Sequence, residues 1–176
     1  ILETKPCNVS ELIRSVAEAY APLALRKDLK VVVDGPGELR VETDVMKVRR
    51  VLGNLLSNAI RYTRSGSVSI QWQEEATGWY VRISDTGPGV EPAMRAREPG
   101  SREEDPPPAQ ARGEGIGLTI VRRLCELMGA TLTMQSEPSA GTSFKLSFPG
   151  HLGVDGPAVK ENGNGGLGET AGPCDI

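Results

Sequence analysis

The sequence predicts an α+β fold, and three observations carry that reading. Three stretches repeat apolar residues at helical spacing. Two consecutive runs, "SVSIQWQ" and "GWYVRISD", alternate apolar and polar residues as half-buried strands do. A Pro-rich, aperiodic stretch from Thr86 to Arg112 then separates that pair from the third helix. With 176 residues and 38% apolar content, the chain can bury one sizeable core rather than two.

Asn8 or Ser10 caps the first helix, whose apolar residues Leu12, Ile13, Val16, Ala19, Tyr20 and Leu23 recur every three or four positions. "LKVVVDGPG" is a β-branched strand stopped by Gly-Pro-Gly, and "LRVET" is a second short strand. Asp44 caps the next helix, where Val48, Val51, Leu52, Leu55, Leu56 and Ala59 form one stripe. Gly66 opens the alternating pair, which "EEATG" joins as a hairpin. The third helix, "GIGLTIVRRLCELMG", runs through Ile120, Val121, Leu124 and Met128 to a C-terminal cap at Gly129. "ATLTMQSE" and "GTSFKLSF" are the last strands. Residues 1–149 are thus expected to form one domain. Residues 150–176 are Gly-rich and nearly devoid of large apolar side chains, and are expected to be a flexible tail or linker.

Composition excludes several function classes. A net charge of −3 and a pI near 5.3 provide no basic stripe for a nucleic acid. Cys7, Cys125 and Cys174 are odd in number and widely spaced, so neither a disulfide framework nor a zinc site is expected, and a reducing cytoplasmic setting fits. No apolar run approaches the roughly 20 residues that cross a bilayer, so no direct membrane contact is expected of this stretch.

Three motifs carry chemistry. In "GNLLSNAIRYT", Asn54, Asn58 and Arg61 share one sector of the second helix beside its apolar stripe. An asparagine carbonyl is a hard oxygen ligand suited to Mg²⁺, which is usually shared with phosphates that an arginine can grip; ordinary helix-packing amides are the simpler reading. Asp85 continues the parity of Trp79, Val81 and Ile83 onto the covered side of the sheet as the chain enters "DTGPG". Its carboxylate can accept a purine amino group, with Gly87 and Gly89 allowing close approach, or close an Asx-turn. In "GEGIGL", Gly113, Gly115 and Gly117 directly precede a helix, an arrangement that turns backbone N–H groups toward phosphate or serves as a hinge. Neither the Walker loop nor the dinucleotide fingerprint matches it. The loop from Thr86 to Arg112 is long enough to act as a lid.

Taken in order, these motifs resemble the ATP-binding catalytic domain of sensor histidine kinases, within the wider class that includes Hsp90, DNA gyrase B and MutL. "NLLSNAIRYT" looks like the N box, "DTGPG" the G1 box, "GEGIGL" the G2 box and "SAGTSFKLSFP" the last glycine box. "ILETKPCNVSELIRSVAEAY" is similar to the segment that joins the dimerisation helices to this domain. The resemblance implies a two-layer α/β sandwich of the Bergerat type, with a mixed, mostly antiparallel sheet, three main helices and a long ATP lid.

It further implies ATP and Mg²⁺ as ligands. Asn58 would coordinate the metal, Asn54 would lie near the phosphates, and Arg61 would contact them; these three are the implied catalytic residues. Tyr62 would lie against adenine, and Asp85 would receive its amino group with Gly87, Gly89 and Thr142. The run Gly113, Gly115, Ile116, Gly117 and Leu118 would carry the lid. Phosphoryl transfer in such a site is positioning and charge neutralisation ahead of in-line attack by an imidazole. The sole histidine, His151, lies in the Gly-rich tail and is not the expected acceptor. The chain is therefore expected to be a fragment that donates to dimerisation and acceptor helices of the same kinase, with a response regulator and other kinases as partners.

Two positions depart from the family pattern. The only phenylalanines are Phe144 and Phe148, so the usual Phe-containing box between the first two glycine boxes lacks its Phe, with "AREPGSRE" as its candidate remnant, and Arg50 stands where Glu or Gln is common. The alternative they leave open is a degenerate kinase domain that acts as a nucleotide-binding or interaction module. An ATP-driven clamp would need a water-activating Glu on the second helix, and none lies between Val45 and Thr63.

Overall fold

A computed structural model describes residues 1–87, 114–137 and 140–150, with side chains in the third helix from residue 117 onward. The elements are β1 (Lys5–Asn8), α1 (Val9–Leu25), β2 (Lys30–Asp34), β3 (Arg40–Thr43), α2 (Val45–Tyr62), β4 (Ser67–Glu75), β5 (Gly78–Asp85), α3 (Glu114–Met128), β6 (Thr131–Glu137) and β7 (Gly141–Pro149). The α+β class and the mixed, mostly antiparallel sheet are as expected. Five strands stand in the order β2-β4-β5-β7-β6, with β2 parallel to β4 and every other pair antiparallel. The sequence reading missed β1, which pairs antiparallel with β3 in a separate two-stranded sheet.

Strand alternation sends Val68, Ile70 and Trp72 of β4, Trp79, Val81 and Ile83 of β5, and Phe144, Leu146 and Phe148 of β7 into the core. Directly opposed across β5 and β7, Trp79 and Phe148 stack with ring centroids 4.2 Å apart. Each such buried side chain contributes about 1.5–3 kcal/mol of transfer free energy, so a register slip in β5 would expose the whole set. From the helix layer come Leu12, Ile13 and Val16 of α1 and Val48, Val51, Leu52, Leu55 and Leu56 of α2.

Two phases of the helices differ from expectation. On α1 the buried stripe turns through Ala17 and Ala24, while Ala19 and Leu23 are exposed, because the helix meets the sheet along Val9, Leu12, Ile13 and Val16. On α3 the helix begins at Glu114, so Gly115 and Gly117 lie inside its first turns rather than before it. Gly129, at φ +64°, closes α3 as expected, and the Ala130 N–H donates to the Cys125 carbonyl at 2.9 Å.

Caps and local anchors fix the layers. The Asn8 side chain accepts the Ser10 N–H at 3.2 Å, while the Ser10 hydroxyl accepts from Trp72 Nε1 at 2.9 Å in the core. Asp44 caps α2 through the Lys47 N–H at 3.0 Å, and its second oxygen accepts the Glu3 N–H at 3.0 Å and pairs with Lys47 Nζ at 2.5 Å. Burial alone would raise the Asp44 pKa, but these partners outweigh it and hold the carboxyl at about 2. Burial and the neighbouring Glu126 push the Cys125 thiol up to about 11, so it stays protonated and unreactive at neutral pH. No helix among the described residues is long and apolar enough to cross a membrane.

Candidate functional site

Helix α2 organises the site. Its stripe of Val51, Leu52, Leu55, Leu56 and Ala59 is buried against the core, which leaves Asn54, Asn58 and Tyr62 half-buried on one flank, four residues apart. Eight residues of helix place the first and last of these roughly 12 Å apart along the axis.

At the upper end of that flank, Asn54 Nδ2 donates to the Arg50 carbonyl at 2.8 Å, which fixes the amide and leaves its oxygen facing α3. Gly117 of α3 stands against this pair: a Cβ on it would lie 3.3 Å from Asn58 Nδ2 and 3.8 Å from Asn54 Oδ1. The N-box-like and G2-box-like motifs are thus neighbours in space. Leu118 points elsewhere and packs against the core.

At the lower end, Asp85 leaves the inward face of β5 where its carboxylate meets several donors. Its Oδ1 accepts the Gly87 N–H at 2.8 Å, which closes an Asx-turn. The backbone N–H of Thr142 and the Thr63 side chain also reach it. Burial nevertheless dominates and raises the Asp85 pKa above its ordinary 3.8, with the Gly87 and Thr142 N–H groups and the nearby Thr63 hydroxyl pulling the other way. The Asx-turn and a recognition role are compatible, since an ionised carboxylate accepts more than one hydrogen bond.

Glycines let the backbone crowd this carboxylate. A Cβ on Gly87 would come within 2.8 Å of Asp85 Oδ1 and 3.4 Å of the Tyr62 carbonyl. Gly141, at φ +97°, lies so close to the Asp85 carbonyl that a side chain would collide with it. Thr142 is buried, and its hydroxyl sits 3.1 Å from that of Ser136.

Between the two ends, Arg61 is exposed, with its guanidinium 5.6 Å from the centre of the Tyr62 ring. The structure therefore brings Asn54, Asn58 and Gly117 together, and separately Asp85, Gly87 and Thr142, with Tyr62 on the shared helix. Gly89, Gly113 and the side chain of Ile116 lie outside the described residues, as do the expected lid, His151 and residues 151–176. Gly115 falls within the first turn of α3.

Two residues that hold the site were missed in the sequence. Thr63 is fully buried and donates from its hydroxyl to the Ala59 carbonyl at 2.7 Å, beside Asp85. A Thr directly after the last helical residue was the available signal. Lys27 Nζ donates to the Ile60 and Arg61 carbonyls at 2.6 and 2.9 Å, placing a positive charge at the C-terminus of α2. Nothing local in the sequence marks that long-range bond.

The model of the family described as histidine kinase-, DNA gyrase B-, and HSP90-like ATPase matches residues 43–152, more than half of the chain. The sensor protein IrlS of Burkholderia pseudomallei (strain K96243) is 38% identical over 139 residues, covering 77% of this chain and 30% of the relative. The autoinducer 2 sensor kinase/phosphatase LuxQ of Vibrio cholerae is 31% identical over 156 residues, covering 80% and 17%. The chain thus spans less than a third of the length of these curated relatives. Among solved structures, full-length ShkA in complex with AMPPNP aligns with a TM-score of 0.73 and 28% identity over 86% of this chain and 32% of that one. The nucleotide-free catalytic domain of histidine kinase ThkA shares the fold at a TM-score of 0.69 and 24% identity, covering 84% and 97%. The chain belongs to the histidine kinase-, DNA gyrase B- and HSP90-like ATPases, as an ATP-binding catalytic domain of the sensor histidine kinase kind.

Proposed function

We propose that ATP binds with Mg²⁺ along the flank of α2, and that the chain donates the γ-phosphoryl group to a histidine outside residues 1–176. The observation that carries this reading is the row Asn54, Asn58 and Tyr62, which runs from Gly117 at one end to the Asp85 cluster at the other. Its roughly 12 Å suits a nucleotide laid lengthwise, base at Asp85 and phosphates at the amides.

The donor set fits a hard divalent cation. Among the described residues the Asn58 amide has no hydrogen-bond partner, so its oxygen is available as a ligand, while Asn54 is oriented by its bond to Arg50. Bound there, Mg²⁺ would neutralise phosphate charge. Arg61, one turn from Asn58, supplies further positive charge to the phosphates, and Tyr62 offers its ring to the base. Asp85 accepts the adenine amino group beside Gly87 and Thr142, with Gly89 continuing the pocket. The segment Gly113, Gly115, Ile116, Gly117 and Leu118 supports closure over the phosphates. Residues 1–149 form the catalytic unit and 150–176 a tail, in a cytoplasmic kinase whose partners are its own dimerisation helices and a response regulator.

Incubation of the chain with γ-labelled ATP, Mg²⁺ and a separately supplied histidine-bearing dimerisation-helix fragment of a relative tests the transfer. Label on the helix fragment, abolished by Asn58→Ala, is expected. Nucleotide binding without any transfer would favour the degenerate module, for which the missing Phe-containing box speaks.

A further inference from the structure

Among the described residues, the five-stranded sheet ends at β2 on one side and β6 on the other. Strand β2 reads Lys-Val-Val-Val-Asp, and Val32 and Val33 are exposed to 41% and 40%. An exposed β-branched edge strand is a template for strand addition unless it is covered or blocked. We propose that β2 is the seam of a symmetric self-association, in which two copies of the chain pair their β2 edges antiparallel about Val32.

The register decides which groups are on offer. The Lys30 N–H donates to the Gly66 carbonyl at 3.0 Å, and Lys30, Val32 and Asp34 stand opposite Ser67, Ser69 and Gln71 of β4. In a parallel ladder alternate residues bond to the same neighbour, so Lys30, Val32 and Asp34 bond to β4. The N–H and C=O groups of Val31 and Val33 then face outward. A two-fold axis at Val32 sets Val31 opposite Val33 of the second copy, and each pair exchanges two N–H···O=C bonds.

The same axis sets Lys30 opposite Asp34 of the second copy, twice. Neither residue takes part in an ion pair among the described residues, so both charges are available. Lys30, Val32 and Asp34 share the sheet face of Ser67, Ser69 and Gln71, which puts each Lys–Asp pair side by side on one surface. Parallel pairing in register would instead oppose Lys30 to Lys30 and Asp34 to Asp34. The end charges thus favour the antiparallel orientation and disfavour the parallel one. Strand β6, Thr-Leu-Thr-Met-Gln-Ser-Glu, has no cation to answer Glu137 and offers no such complement. Joining two five-residue edges buries far less than the roughly 1,200 Å² of stable complexes, so the association is weak and salt-sensitive.

Sedimentation equilibrium of the full chain over a wide concentration range, with hydrogen exchange at Val31 and Val33, tests this. The expected mass rises with concentration, falls with added salt, and tracks slower exchange of those two amides. Lys30→Asp and Asp34→Lys each stay monomeric, and an equimolar mixture of the two associates again, because their strands are complementary to each other but not to themselves. Both positions are exposed, and unchanged circular dichroism confirms the fold. A wild-type chain that stays monomeric overturns the proposal. So does association that survives both single reversals, that is not restored by mixing, or that leaves Val31 and Val33 exchange unchanged, since each assigns the contact to another surface or occupant.

Discussion

Gly117 of α3 faces Asn58 of α2 with only 3.3 Å between the place of a Cβ and the amide nitrogen. A side chain at 117 would push on the amide proposed to hold the metal. Gly117→Ala should weaken Mg²⁺-dependent binding of an ATP analogue several-fold. The melting temperature should hold or rise, since Ala favours a helix over Gly by about 1 kcal/mol. Parallel titration and melting separate the two effects, and equal affinity in the variant would mean that this contact does not matter to the site.

As the acid proposed to hold the base, Asp85 should set the pH dependence of nucleotide binding through its raised pKa. The ionised carboxylate is the stronger acceptor for the amino group assigned to it above, so affinity should fall as pH drops, with a midpoint above the ordinary 3.8. For folding the sign is opposite: a carboxyl whose folded pKa is raised opposes folding when ionised, and that cost is relieved as pH falls through the folded pKa. Calorimetric titration across pH 4–8 checks the first statement, with Asp85→Asn as the variant that should lose this pH dependence.

Asp44 behaves in the reverse sense. With its folded pKa held at about 2, its stabilisation is full above the unfolded value near 3.8 and is lost as pH falls toward 2. Asp44→Asn keeps an N-cap acceptor but loses the ionic contact with Lys47, so it should cost about 1 kcal/mol at neutral pH. Its melting temperature should converge with that of the wild type between pH 4 and pH 2; a constant gap would place the effect outside this carboxylate.

Lys27 closes the C-terminus of α2 through the Ile60 and Arg61 carbonyls. Removing its ammonium in Lys27→Met should destabilise the chain by about 1–2 kcal/mol, a loss of several degrees in melting temperature. Lys27→Arg should recover part of it. An unchanged melting curve for Lys27→Met would show that solvent replaces these bonds at no cost.

The parts of the fold legible in the sequence are those with a local period. The stripe from Val48 to Ala59 and the alternation from Val68 to Ile83 reflect burial on one face, and both stand in the structure as read. What escaped is non-local. Strand β1 is four residues containing a proline and is recognisable only through β3, and the parallel pairing of β2 with β4 depends on the intervening helix. The Ala19 and Leu23 reading failed because tertiary packing, rather than composition, sets which face of α1 is covered. At the site, the order of asparagines, Asp85 and glycines was readable, whereas Thr63, Lys27 and Gly141 act through contacts across the fold.

The central claim is that one acid holds the base of ATP and one amide holds its metal. It is tested most directly by titrating an ATP analogue with and without Mg²⁺ into the wild type, Asn58→Ala and Asp85→Asn. The account predicts that Asn58→Ala removes most of the Mg²⁺ enhancement. It predicts that Asp85→Asn lowers affinity about 10- to 100-fold whether or not the metal is present, the worth of one charged hydrogen bond. Wild-type affinity and wild-type metal dependence in both variants would contradict it.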